Sequence, residues 1–309
     1  METVLVYAGR ASEEWCQRLA TAAPEFRWLS DADHPQAAAA TVFVGWNPPP
    51  GWLARLPRLR LVHALGAGVD GFLARTDLPP EVPVLRLLDA GMAEQMTEYA
   101  LLGVLMWQRR LPLYRQQQMQ ARWKPWPPRP RGEVRVSVLG LGRIGGQVAT
   151  ALAGLGYRVA GWSRSARTLD GVATRHGTQG LDALLAETDV LVSVLPSTAE
   201  TRGLLDRARL ARLPQGAMVV SAGRGDQLVT RDLLALLDEG HLAAALLDVF
   251  ETEPLPPESP LWRHPAVILT PHVAALTVPE PAVRQVVTHL RRWLRGETLP
   301  AMVDRRRGY

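Results

Sequence analysis

A chain of 309 residues is long for one domain and fits two of roughly 150 residues each. At 47% hydrophobic residues it can fill globular cores, which excludes a disordered chain. No apolar run reaches the about 18 residues of a membrane span, and Met1-Glu2 leads straight into Val4-Leu5-Val6-Tyr7, so neither a span nor a signal peptide is expected. The net charge of +5 invites a nucleic-acid reading, but Lys124 is the only lysine and the arginines are spread along the chain, so no nucleic-acid partner is expected. The single Cys16 cannot form an internal disulfide and agrees with a cytoplasmic location.

In chain order, residues 1–90 read as short strands alternating with helices, the strands at Thr3–Tyr7, Thr41–Gly45, Arg60–Ala64 and Val84–Leu88. Ser12 is the expected N-cap of the first helix. One loop stands out, Leu65-Gly-Ala-Gly68-Val-Asp70, whose glycines follow a strand end and can present consecutive backbone N–H groups to a carboxylate. A long helical pattern then runs from Gly91 to Gln120, with Met92, Met96, Tyr99, Leu102, Leu105 and Met106 on one apolar face. The proline-rich run from Trp123 to Pro130 reads as a rigid strap crossing between domains.

The most informative stretch is Val134–Ser165. An alternating strand (Val134, Val136, Val138) enters Gly140-Leu-Gly142-Arg143-Ile144-Gly145, and an amphipathic helix leaves it with Ile144, Val148, Ala151, Leu152 and Leu155. Gly140 allows the tight turn, Gly142 lets backbone approach a pyrophosphate, and Gly145 lets helix and strand pack closely. The helix N-terminus adds free N–H groups and the positive end of its dipole. In an NAD site an acidic residue about 20 positions on binds the ribose 2′-OH. Here Arg164 stands 19 residues after Gly145, between Ser163 and Ser165, and Asp170 lies past the strand end. A guanidinium and two hydroxyls suit a 2′-phosphate, so NADP(H) is expected in preference to NAD(H), with NAD still possible.

Further β-α units follow, with strands at Val190–Leu195, Met218–Ala222, Ala244–Val249 and Val267–Thr270 and helices at Leu181–Ala186 and Asp232–Glu239. This alternation predicts an α/β protein with doubly wound parallel sheets. Ligands in such sheets bind outside the strand carboxyl ends, where Arg224, Glu253 and His272 each fall. An amphipathic helix from Thr277 to about Leu294 is expected to pack back on the first domain. The expected division is a discontinuous substrate domain, 1–98 with 276–309, and a Rossmann dinucleotide domain, 99–275.

These residues together resemble the D-isomer-specific 2-hydroxyacid dehydrogenases, most closely their glyoxylate/hydroxypyruvate reductase A branch. The carriers are Leu65–Asp70, Asp89-Ala-Gly-Met-Ala-Glu-Gln-Met-Thr-Glu-Tyr-Ala100, Gly140–Gly145, Trp162-Ser-Arg-Ser165, Leu247–Pro256, Ser259–Trp262, Thr270-Pro-His-Val-Ala-Ala275 and the closing Arg307-Gly-Tyr309. The resemblance implies a flavodoxin-like substrate domain beside the Rossmann domain, and NADPH-dependent reduction of glyoxylate to glycolate and hydroxypyruvate to D-glycerate. His272 would be the proton donor, Glu253 its partner favouring the imidazolium, and Arg224 the group that holds the substrate and polarises its carbonyl.

Substrate contacts would come from Trp46, the backbone of Ala67, Gly68 and Val69, and from Met92 and Gln95. Cofactor contacts would come from Gly140, Gly142, Arg143, Ile144, Gly145, Ser163, Arg164, Ser165, Leu195, Pro196, Thr201, Ala222, Gly223 and Asp248, with no metal site. The sequence departs from the family's Asn-x-Ala-Arg-Gly with Ser221-Ala-Gly223-Arg224-Gly225, and carries Thr230 where an acidic residue is frequent. A homodimer is implied, the Met92–Gln120 segment being the candidate interface. Two other readings stay open: a dehydrogenase of bulkier 2-oxo acids, and a dinucleotide-sensing corepressor on the same fold.

Overall fold

The computed structural model describes residues 1–309. The chain divides into two compact units, Met1–Gly91 with Thr277–Tyr309, and Met92–Leu276.

The first unit opens with β1 (Thr3–Tyr7), α1 (Ser12–Ala22), β2 (Arg27–Leu29), β3 (Val42–Gly45), β4 (Leu61–Ala64), α2 (Asp70–Leu73) and β5 (Val84–Leu85). The second holds α3 (Met92–Gln108), α4 (Leu111–Met119), β6 (Arg135–Leu139), α5 (Arg143–Gly154), β7 (Arg158–Ser163), β8 (Ala173–His176), α6 (Gly177–Leu185), β9 (Val190–Ser193), α7 (Arg207–Leu210), β10 (Ala217–Ser221), α8 (Thr230–Asp238), β11 (Leu242–Leu247) and β12 (Val267–Leu269). The chain then re-enters the first unit as α9 (Pro279–Leu294).

Every strand pairing is parallel. The first unit's sheet has the order β2-β1-β3-β4-β5, the flavodoxin-like winding expected, with its reversal between β1 and β3. The second has the order β12-β11-β10-β9-β6-β7-β8, so its reversal falls between β6 and β9. Parallel sheets are covered on both faces, and the strands divide their side chains accordingly. Val136, Val138, Val192 and Val220 turn to one face, where α3 and α5 cover them with Tyr99, Val104, Val148 and Leu152. Leu139, Leu191, Val219 and Leu247 turn to the other, against Leu181 and Leu184 of α6 and Leu233 and Leu236 of α8. At Gly103 an added Cβ would lie 2.4 Å from a Val220 methyl, so only glycine lets α3 sit this close to the sheet.

Four expectations change. The boundary expected at 98/99 would cut through α3, a single hydrogen-bonded rod. The chain instead turns just before it, where Ala90 and Gly91 both take left-handed backbone (φ 55° and 81°). The helical pattern of 91–120 is two helices, because Pro112 cannot continue a helix interior but suits the first turn of a new one. Arg110 makes the corner at φ 58°. The Trp123–Pro130 strap lies inside the second unit and folds back on it: Arg129 donates to the Trp107 carbonyl at 2.7 Å and stacks over the Trp107 ring. Ser12 is not the N-cap of α1, which is Ala11. The Ser12 hydroxyl instead accepts from Ala8 N and donates to the Gly9 carbonyl, bracing the turn.

The first unit buries a histidine pair. His63 is fully buried, and its Nδ1 donates to the Ala64 carbonyl at 2.8 Å. Its Nε2 therefore accepts, at 2.9 Å, from Nδ1 of His289 on α9. Burial, and then the neighbouring His289, hold the His63 pKa down to about 3. The unfolded chain takes up this proton near pH 6.5 while the folded one does not, so stability is lost as pH falls from there toward about 3. The slope from His63 is at most about 1.4 kcal/mol per pH unit, or about 2 kcal/mol by pH 5. Urea denaturation of the wild type should show this loss, and the His63→Leu/His289→Leu double variant should lack it. Equal pH dependence in the two would refute the assignment.

Candidate active site

The second unit's sheet reverses direction at the glycine turn. β6 ends at Leu139, and Gly140 turns at φ 99° while its N–H donates to the Trp162 carbonyl of β7. A Cβ at Gly145 would fall 1.8 Å from the Gly140 carbonyl oxygen, so any side chain there would force turn and helix apart. At Gly142, the N-cap of α5, an added Cβ meets nothing within 4 Å. One glycine is thus required by packing inside the protein, whereas the other leaves open space at a helix N-terminus, as a phosphate cradle needs. In the first turn of α5, Arg143 is exposed and Ile144 packs against the core.

Ser163 ends β7 at the same rim, and Arg164 and Ser165 follow it. The Ser163 hydroxyl donates to the Ser165 carbonyl at 2.8 Å, closing a small turn that holds Arg164 at its apex. The Arg164 guanidinium is half-exposed and lies 3.9 Å from Glu200. Across the reversal, Leu195 and Pro196 follow β9, and the carbonyls of both accept from the amide of the fully buried Gln227, at 2.7 and 3.0 Å. Thr201 donates back to the Pro196 carbonyl and accepts from Thr198 N, closing the 196–201 loop. Ala222 is buried, its N–H bound to Ser193 O.

The departures from the family pattern have local consequences. A Cβ on Gly223 would fall 2.6 Å from the Leu195 carbonyl oxygen, so glycine is what lets the 222–224 and 194–195 loops approach this closely. Ser221 is buried with a hydroxyl that has no protein partner. Thr230 simply starts α8.

Arg224, Glu253 and His272 follow β10, β11 and β12, three adjacent strands. Close backbone contact joins the first two loops: a Cβ on Gly225 would lie 1.9 Å from the Phe250 carbonyl carbon. The Glu253 carboxylate accepts from Phe250 N at 2.9 Å through Oε1 and from His272 Nδ1 at 2.7 Å through Oε2. Arg224 donates to the Gly223 carbonyl at 2.7 Å. The Glu253–His272 pair is partly exposed, so it contributes little to stability, about 1 kcal/mol at most. Its effect is on the ring: Nδ1 keeps its hydrogen, and Nε2 is left as the atom that can give or take a proton.

His272 itself is held in left-handed backbone, φ 56°, a conformation uncommon outside glycine, which asparagine, aspartate and histidine take more often than other residues do. Asp248 fixes it. This side chain is 1% exposed, and its two oxygens accept from Thr270 Oγ1, Val273 N and Ala274 N at 2.6, 2.8 and 2.9 Å, while its own carbonyl accepts from His272 N. Asp248, expected as a cofactor contact, is thus committed to the loop that carries His272. Tyr99, Thr270 and Gln227 are parts of this site that sequence reasoning did not single out, since a tyrosine on an apolar helix face and a glutamine near a glycine turn carry no signal of their own.

Met92 is buried at the start of α3. Gln95 makes a two-way bond with Leu276 backbone, donating to its carbonyl at 2.8 Å and accepting from its N–H at 3.1 Å. In the first unit, the 65–70 loop is pinned at three carbonyls: Thr277 donates to Leu65, Leu87 N to Gly66, and Arg86 to Ala67. The Trp46 indole lies against Gly66 and meets Trp15 edge-on at 5.6 Å. Val69 is buried and Gly68 exposed.

A parallel sheet with a glycine cradle at its reversal and an Arg-Glu-His set on three neighbouring strand ends defines a dinucleotide-linked dehydrogenase scaffold. The model of the D-isomer-specific 2-hydroxyacid dehydrogenase NAD-binding domain matches residues 101–274. Over its whole length the chain is 41% identical to glyoxylate/hydroxypyruvate reductase A of Salmonella paratyphi B, which it covers completely. It therefore belongs to the D-isomer-specific 2-hydroxyacid dehydrogenase family. Among solved structures, a family member from Xanthobacter autotrophicus Py2 in complex with NADPH and MES superposes with a TM-score of 0.92 at 40% identity, and covers 100% of both chains. The NADPH-dependent glyoxylate/hydroxypyruvate reductase of Sinorhizobium meliloti, in complex with NADP and sulfate, does so with a TM-score of 0.91 at 35% identity, again over 100% of both chains.

The two glycines separate folding from binding. Gly142→Ala should melt like the wild type but bind NADP(H) at least about tenfold more weakly, because its methyl enters the cradle. Gly145→Ala should lose stability itself, by about 1–3 kcal/mol through overpacking. Thermal melts with and without dinucleotide distinguish the two, and a Gly142→Ala protein that binds like the wild type would refute the cradle.

Proposed function

We propose that the protein is an NADPH-dependent reductase of small 2-oxo acids, taking glyoxylate to glycolate and hydroxypyruvate to D-glycerate. The observation that carries this reading is the 2.7 Å Glu253–His272 pair at the rim that also bears the glycine cradle and Arg164. Arg164, Ser163 and Ser165 supply a cation and hydroxyls where a 2′-phosphate is recognised, with no carboxylate of β7 among them. The relatives solved with NADPH or NADP support the same choice.

The bound nicotinamide supplies the hydride. What the chain supplies is charge and a proton. Arg224 offers a planar guanidinium to the substrate's carboxylate and carbonyl oxygens, and stabilises the negative charge that develops on the carbonyl oxygen. His272 delivers a proton from Nε2 to that oxygen, while Glu253 holds Nδ1 and balances the ring's charge. The amides of Ala67, Gly68 and Val69 are proposed carboxylate ligands, Trp46 a wall limiting substrate size, and Met92 and Gln95 further substrate neighbours. A homodimer is proposed on the apolar surface of α3, α4 and the strap, where Leu102, Leu105, Leu111, Met119 and Trp123 are all exposed, Trp123 at 98%. The free, buried Cys16 supports a cytoplasmic setting.

Turnover tests the reading directly. Nicotinamide absorbance, followed with glyoxylate, hydroxypyruvate, pyruvate and phenylpyruvate, should show fastest turnover of the two small acids with NADPH. His272→Ala should lower kcat by about 10²–10⁴-fold. Preference for NADH would overturn the role of Arg164 alone, and dinucleotide binding without any turnover would favour the sensor reading. Light scattering should give twice the monomer mass for the wild type, and a monomer would remove the dimer.

A further inference from the structure

The polar chain beneath the His272 loop begins on a helix that carries none of the proposed catalytic groups. The Tyr99 hydroxyl of α3 lies 2.7 Å from Thr270 Oγ1, and Thr270 Oγ1 lies 2.6 Å from Asp248 Oδ1. A carboxylate oxygen only accepts, so the single Thr270 proton goes to Asp248 and the Tyr99 proton goes to Thr270. Burial raises the Tyr99 pKa and keeps that proton in place. From Asp248 the chain divides to Val273 N and Ala274 N, the two residues directly after His272, while the Asp248 carbonyl accepts from His272 N.

We propose that Tyr99, Thr270 and Asp248 form a directed hydrogen-bond chain that anchors the His272 loop to α3, with Tyr99 a positioning residue for proton delivery. The inference rests on the proposed role of His272. The left-handed backbone at His272 is uncommon for any residue but glycine, and the amides of the two residues that follow are both fixed to the Asp248 carboxylate. Thr270 shares Asp248 Oδ1 with Val273 N and so adds a side-chain tether to the two backbone ones. The Thr270 hydroxyl, donating to Asp248, keeps a lone pair, and Tyr99 donates to it from α3. A displacement of the imidazole by about 1 Å can cost up to about 10²-fold in rate without touching binding.

The test uses Tyr99→Phe, which removes one oxygen and leaves the ring packed, together with Thr270→Val and Thr270→Ser. Tyr99→Phe should lower kcat by about ten- to a hundredfold while KM for NADPH stays within about twofold. A purely structural role would lower melting temperature without this split. Thr270→Val should behave alike, the Tyr99→Phe/Thr270→Val double variant should be no worse than Thr270→Val alone, and Thr270→Ser should restore turnover. Hydrogen exchange of the unliganded protein should quicken over residues 270–275 in Tyr99→Phe and not in β6 or β9. Wild-type kcat in Tyr99→Phe, losses that multiply in the double variant, or unchanged exchange at 270–275 would each overturn the proposal. If the wild type reduces no 2-oxo acid, the exchange measurement still decides on the anchor, and the missing turnover counts only against the proposed reaction.

Discussion

A carboxylate removed from water must be surrounded by donors, and in this protein that requirement at Asp248 shapes the catalytic rim. Its oxygens take three donors, all from residues 270–274, so the segment after β12 wraps around the group instead of leaving the sheet freely. Leaving any such bond unmade would cost about 1–3 kcal/mol, so the three together outweigh the about 1–3 kcal/mol of strain in one left-handed residue. The strain is therefore carried at His272, and the imidazole leaves the loop in the direction that meets Glu253. Glu253 is itself held by Phe250 N, and Phe250 is held by the passage of Gly225 against its backbone. Arg224, one residue before Gly225, thus belongs to the same mechanical unit as the histidine two strands away.

The winding of the sheet brings these parts together with the glycine turn. The reversal between β6 and β9 opens a crevice at the carboxyl ends, and the loops after β6 and β9 meet across it, where Gly140 faces Val194 and Leu195. Gln227 closes the far wall by holding two consecutive carbonyls. The Ser221-Ala-Gly223 run is consistent with this crowding: Gly223 passes the Leu195 backbone where a methyl group would collide.

Much of this was legible in the sequence because the signals are local. A strand alternating at Val134, Val136 and Val138, three glycines at fixed spacing and an amphipathic helix are all read within about one β-α-β unit. The strand-end positions of Arg224, Glu253 and His272 followed from counting units. What was missed has physical reasons. β2 and β8 are edge strands, short or polar on their outer side, and Arg27–Leu29 and Ala173–His176 show little alternation. The break between α3 and α4 was signalled by Pro112, but the apolar periodicity continues across it. The Tyr99–Thr270 contact spans 171 residues of sequence and depends on how closely a helix lies on a sheet, which no local pattern records.

That closeness is set by an atom that is missing. Gly103 lies one turn beyond Tyr99 on the same side of α3, and the space its side chain would fill is occupied by a Val220 methyl. The glycine acts as a shim of zero thickness: it fixes the standoff between helix and sheet, and with it the reach of the Tyr99 hydroxyl. Any residue with a Cβ at 103 would lift that part of the helix. The alignment of an imidazole at the far end of the relay would then depend on a packing tolerance of one methyl group, at a position with no polar atom in its side chain.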